Sequence, residues 1–204
     1  MQTDGSAAPP APGRDPRPAA SLLVIRHGQG GPELLMGRRS AGHRFMPNVL
    51  VFPGGAVDEA DYHARIATPL LPHVRVRLER SASPALAQAL AVAATRELTE
   101  EVGLSLGDPP SLRGLDYLCR AITPPDRTMR FDARFFLVDA ALVTGEPTAS
   151  RELEAPGWFT IEAALDCEIA LATRAVLGQV QRWLAHQDRD GLVPVLRDRV
   201  WGSE

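Results

Sequence analysis

Three carboxylates fall within five positions of Arg96-Glu97-Leu98-Thr99-Glu100-Glu101-Val102-Gly103-Leu104, and like charges so close repel one another unless a cation sits among them. On a helix, Glu101 stands one turn beyond Glu97 and Glu100 three residues beyond it, so all three can converge on one face. Clustered carboxylate oxygens suit a hard divalent cation. Magnesium in particular keeps some of its waters and takes its remaining ligands from substrate phosphates. An exposed acidic helix end is the plain alternative, but negative charge near a helix C-terminus opposes the macrodipole, so stability alone explains the run poorly. A second stretch, Phe52-Pro53-Gly54-Gly55, offers paired glycines that let backbone approach a metal or phosphate closely, although glycines also make ordinary turns. Near it in sequence stand Arg38, Arg39 and Arg44, whose guanidinium forks match phosphate oxygens. A solvated basic face explains any one of these arginines equally well.

These residues need elements to hold them. Residues 84–102 read as one long helix: Ser83 is a suitable N-cap, Pro84 fits the first turn, Gly103 can end it, and Leu86, Leu90, Ala94 and Leu98 recur at helical spacing. Short apolar runs at 22–25 and 34–36 predict a hairpin-like pair of strands, and 49–52 a third strand cut off by Pro53. Between 58 and 83, charges and prolines predict a short helix and an irregular excursion. Residues 115–122, 130–138 and 152–160 are further strand candidates, and 165–185 returns to helical periodicity. Arg130, Asp132 and Arg134 alternate with Phe131, Ala133 and Phe135, which gives one strand a polar face that can line a cleft. Trp158 reads as core packing, and His27 and His43 have no metal-ligand spacing. The expected class is a mixed α/β or α+β domain.

Composition narrows the function. With 204 residues, 45% hydrophobic and 23% charged, the chain fits one globular domain. Residues 1–20, rich in Pro, Ala and Gly, read as a disordered leader to a domain over 21–204. A formal net charge of -3 leaves no basic footprint for nucleic acid, so a small-molecule partner is expected. Cys119 and Cys167 show no CxxC or Cys/His spacing, which argues against a zinc site or disulfide framework and suits reduced thiols in a cytosol. No apolar run reaches the roughly eighteen residues of a membrane span, and no signal peptide or peroxisomal address is legible, so a soluble cytoplasmic protein is expected. The oligomeric state is not written in the sequence, and a homodimer is compatible with it.

Together the two chemical stretches resemble the Nudix box, G-x5-E-x7-R-E-U-x-E-E-x-G-U, where U is a bulky aliphatic residue. Its second half is matched by Arg96, Glu97, Leu98, Glu100, Glu101, Gly103 and Leu104. Its first half departs: six positions after Gly55 stands Asp61 rather than glutamate, with Glu59 as a substitute, and the spacer from Asp61 to Arg96 is 34 residues. That is about 27 more than usual, an insertion centred on residues 62–83. An interrupted box of this kind, with Phe52-Pro53-Gly54-Gly55-Ala56-Val57-Asp58 before the insertion, is similar to the acyl-coenzyme A diphosphatase subgroup. Arg44-Phe45-Met46-Pro47, Thr123-Pro124-Pro125 and Arg130 to Phe136 add weaker support.

The resemblance implies an α/β/α sandwich with a mixed sheet between helices. It also implies a magnesium or manganese hydrolase. Glu97 and Glu101 would be the leading metal ligands, Glu100 a third ligand or water-orienting group, and the Gly54 carbonyl would complete the shell. Arg96 would pair with an acidic residue to hold the loop against the helix. Gly55 and the arginines would hold substrate, and the general base would come from the glutamate cluster itself or from a later loop, as Glu152 or Glu154. The implied reaction cleaves coenzyme A or acyl-coenzyme A to 4'-phosphopantetheine, acylated or not, and adenosine 3',5'-bisphosphate. ADP-ribose, NADH or another nucleoside diphosphate derivative is the alternative substrate, and a non-catalytic nucleotide sensor is the alternative class. The insertion is expected to form a helical flap beside the cleft that contacts the pantetheine or acyl end.

Overall fold

The structure, a computed structural model, describes residues 15–40, 42, 48–185 and 191–204. Its centre is β1 (Arg17–Gly28), whose Leu22-Leu23-Val24-Ile25 run is buried on both faces, as a strand sandwiched between two layers must be. Beside it lie β2 (Gly31–Arg39), β3 (Leu50–Val51) and β4 (Gly54–Ala56), and across from them β5 (Asp116–Ile122) and β6 (Phe131–Asp139). The sheet is completed by β7 (Leu153–Thr160), β8 (Pro194–Arg197) and β9 (Val200–Ser203). The order is β3-β2-β1-β6-β5-β8-β9, with β4 also on β1 and β7 also on β2. Pairing is mixed: β1 runs antiparallel to β2 and β4 but parallel to β6.

Each face of the sheet carries its own core. Ala20, Leu22, Val24, Leu35, Tyr117 and Phe136 pack under α1 (Pro72–Leu78) and α2 (Pro84–Val102). On the other face, Leu23, Ile25, Leu34, Met36, Phe135 and Leu137 pack under α3 (Ile161–Leu165) and α4 (Leu171–Leu184). This is the expected sandwich of helices on a mixed sheet. The α2 termini fall as their residues dictate: Ser83 Oγ accepts the Leu86 N–H at 3.2 Å, and Gly103 takes φ 71°, the left-handed geometry that favours glycine after a helix.

Several expectations are corrected. Arg17 to Ala20 belong to β1 rather than to a leader, because all four pair with β6, Ala19 and Ala20 also pair with β4, and both alanines are buried; residues 1–14 lie outside the described residues. The helical stretch at 165–185 is interrupted, since 166–170 leave the helix and the Glu168 carbonyl accepts the Leu50 N–H of β3. The β8–β9 hairpin was not anticipated. The insertion is no flap. Leu70, Val74 and Leu78 are 9% exposed or less and join the α2-side core. The cavity of about 600 Å³ beside the insertion is lined on α2 by Pro84 and Gln88, in the first turns of the helix, and Gln88 is nine residues and so roughly half a revolution away from Glu97.

Candidate active site

The C-terminal half of α2 lies across the Pro53-Gly54-Gly55 turn, where chain leaving β3 doubles back as β4 to pair with β1. Glu101, only 7% exposed, accepts the Gly54 N–H on Oε2 at 2.8 Å. Gly55 faces the Glu97 carboxylate so closely that a Cβ there would overlap it, coming within 2.6 Å of Cδ. The Glu97 carboxylate can sit this close to the turn only because position 55 has no side chain.

Relative to Glu97, Glu101 is rotated by about 40° and Glu100 by about 60° the opposite way. Glu97 and Glu101 face the Gly54-Gly55 turn, with the Glu97 side chain 13% exposed, while that of Glu100 is 59% exposed. Arg96 Nη1 donates to Glu97 at 2.8 Å and to Glu100 at 2.9 Å. The three carboxylates therefore do not form one pocket as the spacing suggested. Among the described residues, no group of three or more His, Cys, Asp and Glu side chains is arranged to hold a metal ion.

Arg96 is the joint between the two halves of the site. Its Nε and Nη2 donate to the Asp61 carboxylate at 2.9 and 3.0 Å, and Nη2 also donates to the Ala56 carbonyl at 3.1 Å. Asp61, at the end of a short 3-10 turn (Glu59–Tyr62), is 2% exposed. The hydrogen bond from Arg96 to Asp61, followed by the neighbouring Glu97 charge against the opposing cost of burial, holds the guanidinium above its ordinary pKa. Glu59 instead is exposed and faces His63 at 3.4 Å. The choice between Asp61 and Glu59 that the sequence left open thus falls to Asp61 by geometry, 35 positions from its partner.

Burial dominates the electrostatics of the cluster. Burial is the main reason that Glu101 is pushed up to about 7; the Gly54 N–H opposes this, and the Glu97 and Glu152 charges add to it. Glu97 is raised too, by burial first, against the pull of Arg96. Arg39, lowered by burial, is attracted by Glu101 and Glu152. Two carboxylates withdrawn from water, Glu101 buried and Glu97 partly so, beside a glycine turn, all oxygen donors, fit a hard divalent cation.

The other candidates separate by sheet face. Residues directly opposite on paired strands share a face, and Arg38 stands opposite Leu50 of the α4-side core and Glu154. Arg38 donates to the Asn48 carbonyl at 2.6 Å. Arg38 and Glu154 are thus turned away from the α2-side face that carries the glutamates, whereas the charges of Arg39 and Glu152 act on Glu101, and that of Glu152 on Glu97 as well. Arg44 lies outside the described residues. The polar face of β6 is closed rather than cleft-lining: Arg134 is 1% exposed, and Asp132 binds both Arg134 and Arg120, which also binds Glu204 at 2.6 Å. Trp158 packs against the α2-side core with the Arg26 guanidinium 4.2 Å above its ring centroid.

A carboxylate helix set against a glycine turn, on one face of a mixed sheet between helices, is the arrangement of a hydrolase domain. The chain belongs to the Nudix family: the family model for the NUDIX domain matches residues 15–184, and hydrolases of this family generally need divalent metal ions. Among solved structures, the chain is similar to a NUDIX hydrolase from Alicyclobacillus acidocaldarius, at 29% identity over 80% of this chain and 90% of that one, with a TM-score of 0.64. It is similar to a MutT NUDIX hydrolase from Burkholderia pseudomallei at 25% identity, covering 82% and 99% of the two chains, with a TM-score of 0.53. The fold is shared by the NUDIX domain of Shewanella oneidensis NrtR, complexed with ADP ribose, at 14% identity over 84% of this chain and 90% of that one (TM-score 0.53). No functionally curated protein matches the chain.

Proposed function

We propose that this Nudix hydrolase cleaves the diphosphate of coenzyme A or acyl-coenzyme A, giving 4'-phosphopantetheine or its acyl form and adenosine 3',5'-bisphosphate. The observation that carries the hydrolytic part is the burial of Glu97 and Glu101 against Gly54 and Gly55. The coenzyme A part rests on the interrupted box and its Phe52 to Asp58 lead-in. Glu97, Glu101 and the Gly54 carbonyl would hold magnesium, or manganese in its place, with Glu100 as an outer ligand or water-orienting group. A divalent cation there would neutralise the diphosphate and make a water more acidic.

The remaining work falls to the chain. Arg39 and the Gly55 backbone bind and orient the diphosphate, and Arg96, anchored on Asp61, is a positioning residue that holds turn to helix. Glu152 accepts a proton on its carboxylate from the attacking water; one P–O bond forms as the bridging P–O bond breaks, leaving two phosphate monoesters. Among the described residues no helix is long and apolar enough to cross a membrane, and free Cys119 and Cys167 suit a cytoplasmic setting.

ADP-ribose, seen in the Shewanella domain, is the second substrate reading, because the same diphosphate site serves either molecule. Incubating the purified chain and magnesium with coenzyme A, an acyl-coenzyme A, ADP-ribose, NADH and nucleoside triphosphates separates the readings by product. Adenosine 3',5'-bisphosphate as the dominant product is expected. AMP from ADP-ribose at a higher kcat/KM would reassign the substrate, and nucleotide binding without turnover would make the domain a sensor.

A further inference from the structure

Away from the cleft, α1, β5 and β6 meet around three buried polar atoms that have no hydrogen-bond partner among the described residues: Arg77 Nε, Tyr117 Oη and Arg134 Nε. Their residues are 8%, 0% and 1% exposed. Leaving such donors unmet costs about 1–3 kcal/mol each, more for charged groups, so native interiors pair nearly all of them. Three in one junction call for a common partner.

They belong to the same junction. The Arg77 guanidinium carbon lies 5.7 Å from the Tyr117 ring centroid, and the Tyr117 ring packs on Phe136 with centroids 5.8 Å apart. Tyr117 feels the Arg134 charge, which pulls against the burial that raises its phenol pKa. Arg134 Nη2 donates to the Ser81 carbonyl at 3.1 Å, one turn beyond Arg77 in sequence. Both Nη1 atoms are engaged elsewhere: Arg77 Nη1 faces Asp116 at 3.7 Å, and Arg134 Nη1 binds the Asp132 carbonyl and carboxylate.

We infer that this junction is a binding site for one small hydrogen-bond acceptor, held by Arg77 Nε, Tyr117 Oη and Arg134 Nε, which docks the insertion helix α1 onto β5 and β6. Protein side chains supply only donors at the two guanidinium nitrogens, so the guest presents lone pairs. Water and a halide ion share that chemistry. A water accepts both N–H groups and donates to the phenol oxygen; a halide accepts all three donors. The neighbouring carboxylates Asp116, Asp132 and Glu204 balance Arg77, Arg134 and Arg120 in number, so neither source is excluded by charge.

A high-resolution crystal structure of the full chain, from crystals soaked in bromide and measured at its absorption edge, tests the site. A single density feature at about 2.7–3.2 Å from the three atoms supports it: with an anomalous peak the guest is a halide, without one it is water. No feature there, or the three atoms paired with protein groups instead, overturns it. Tyr117→Phe keeps the ring on Phe136 and is expected to remove the feature. If it persists unchanged in that variant, Tyr117 is not part of the site as inferred.

Discussion

Burial lifts Glu101 to about 7, so in metal-free protein the folded state holds a proton that the unfolded chain has released above about pH 4.5. Stability supplied this way is lost as pH rises through that window. Binding of a cation needs the ionised form and opposes the loss. Thermal unfolding in a chelator should therefore show Tm falling from about pH 5 to 7, and magnesium or the Glu101→Gln change should flatten the slope. An equally steep slope in Glu101→Gln would mean that another group titrates. Gly55→Ala is expected to cut turnover on the order of a hundredfold with the fold intact, because its clash is with the end of a flexible Glu97 side chain; circular dichroism and kcat/KM check both halves. At this scale the box residues were legible because their spacing is the chemistry. Which of Glu152 and Glu154 reaches the cleft was not, since that depends on the β2–β7 register and its irregularity at Met36/Arg38.

Elements set the distance between turn and helix. Asp61→Asn removes the charge of the carboxylate that takes two of the Arg96 hydrogen bonds. The cost should be about 2 kcal/mol in urea unfolding, less than for a fully buried pair because Arg96 keeps Ala56 and Glu97 and is partly exposed. The same variant should lower kcat while Ser83→Ala, a cap change at the far end of α2, costs about 1 kcal/mol of stability and leaves kcat alone. Equal kcat losses in both would argue that Arg96–Asp61 acts only through helix stability. The ends of α2 could be read in advance, because Ser83, Pro84 and Gly103 act locally. The break before α4 could not, because a backbone pairing with distant Leu50 imposes it.

For the whole molecule, the insertion is structural: it splits the Nudix box in sequence yet fills the core between α2 and the sheet. Leu78→Ala should cost about 2–5 kcal/mol in denaturant unfolding, and removing residues 65–80 should abolish folding rather than shift KM for one substrate. A stable deletion variant would show the insertion to be a separable flap. Its role escaped the sequence because 62–83 carries little regular periodicity, and its core contacts, such as Val74 and Leu78, are long-range. The β8–β9 hairpin escaped for a related reason: its strands are four residues each, and its turn uses positive φ at Asp198 and Arg199, two residues with little turn signature in that pairing.

The central claim is that Glu97 and Glu101 make the cleft a diphosphate hydrolase centre. It is met most directly by following coenzyme A hydrolysis against magnesium concentration for wild type, Glu97→Gln and Glu101→Gln side by side. Saturable, magnesium-dependent release of adenosine 3',5'-bisphosphate by wild type, reduced at least about a hundredfold in both folded variants, is the expected result. Turnover unchanged by either substitution, or independent of added magnesium after chelation, would contradict the account.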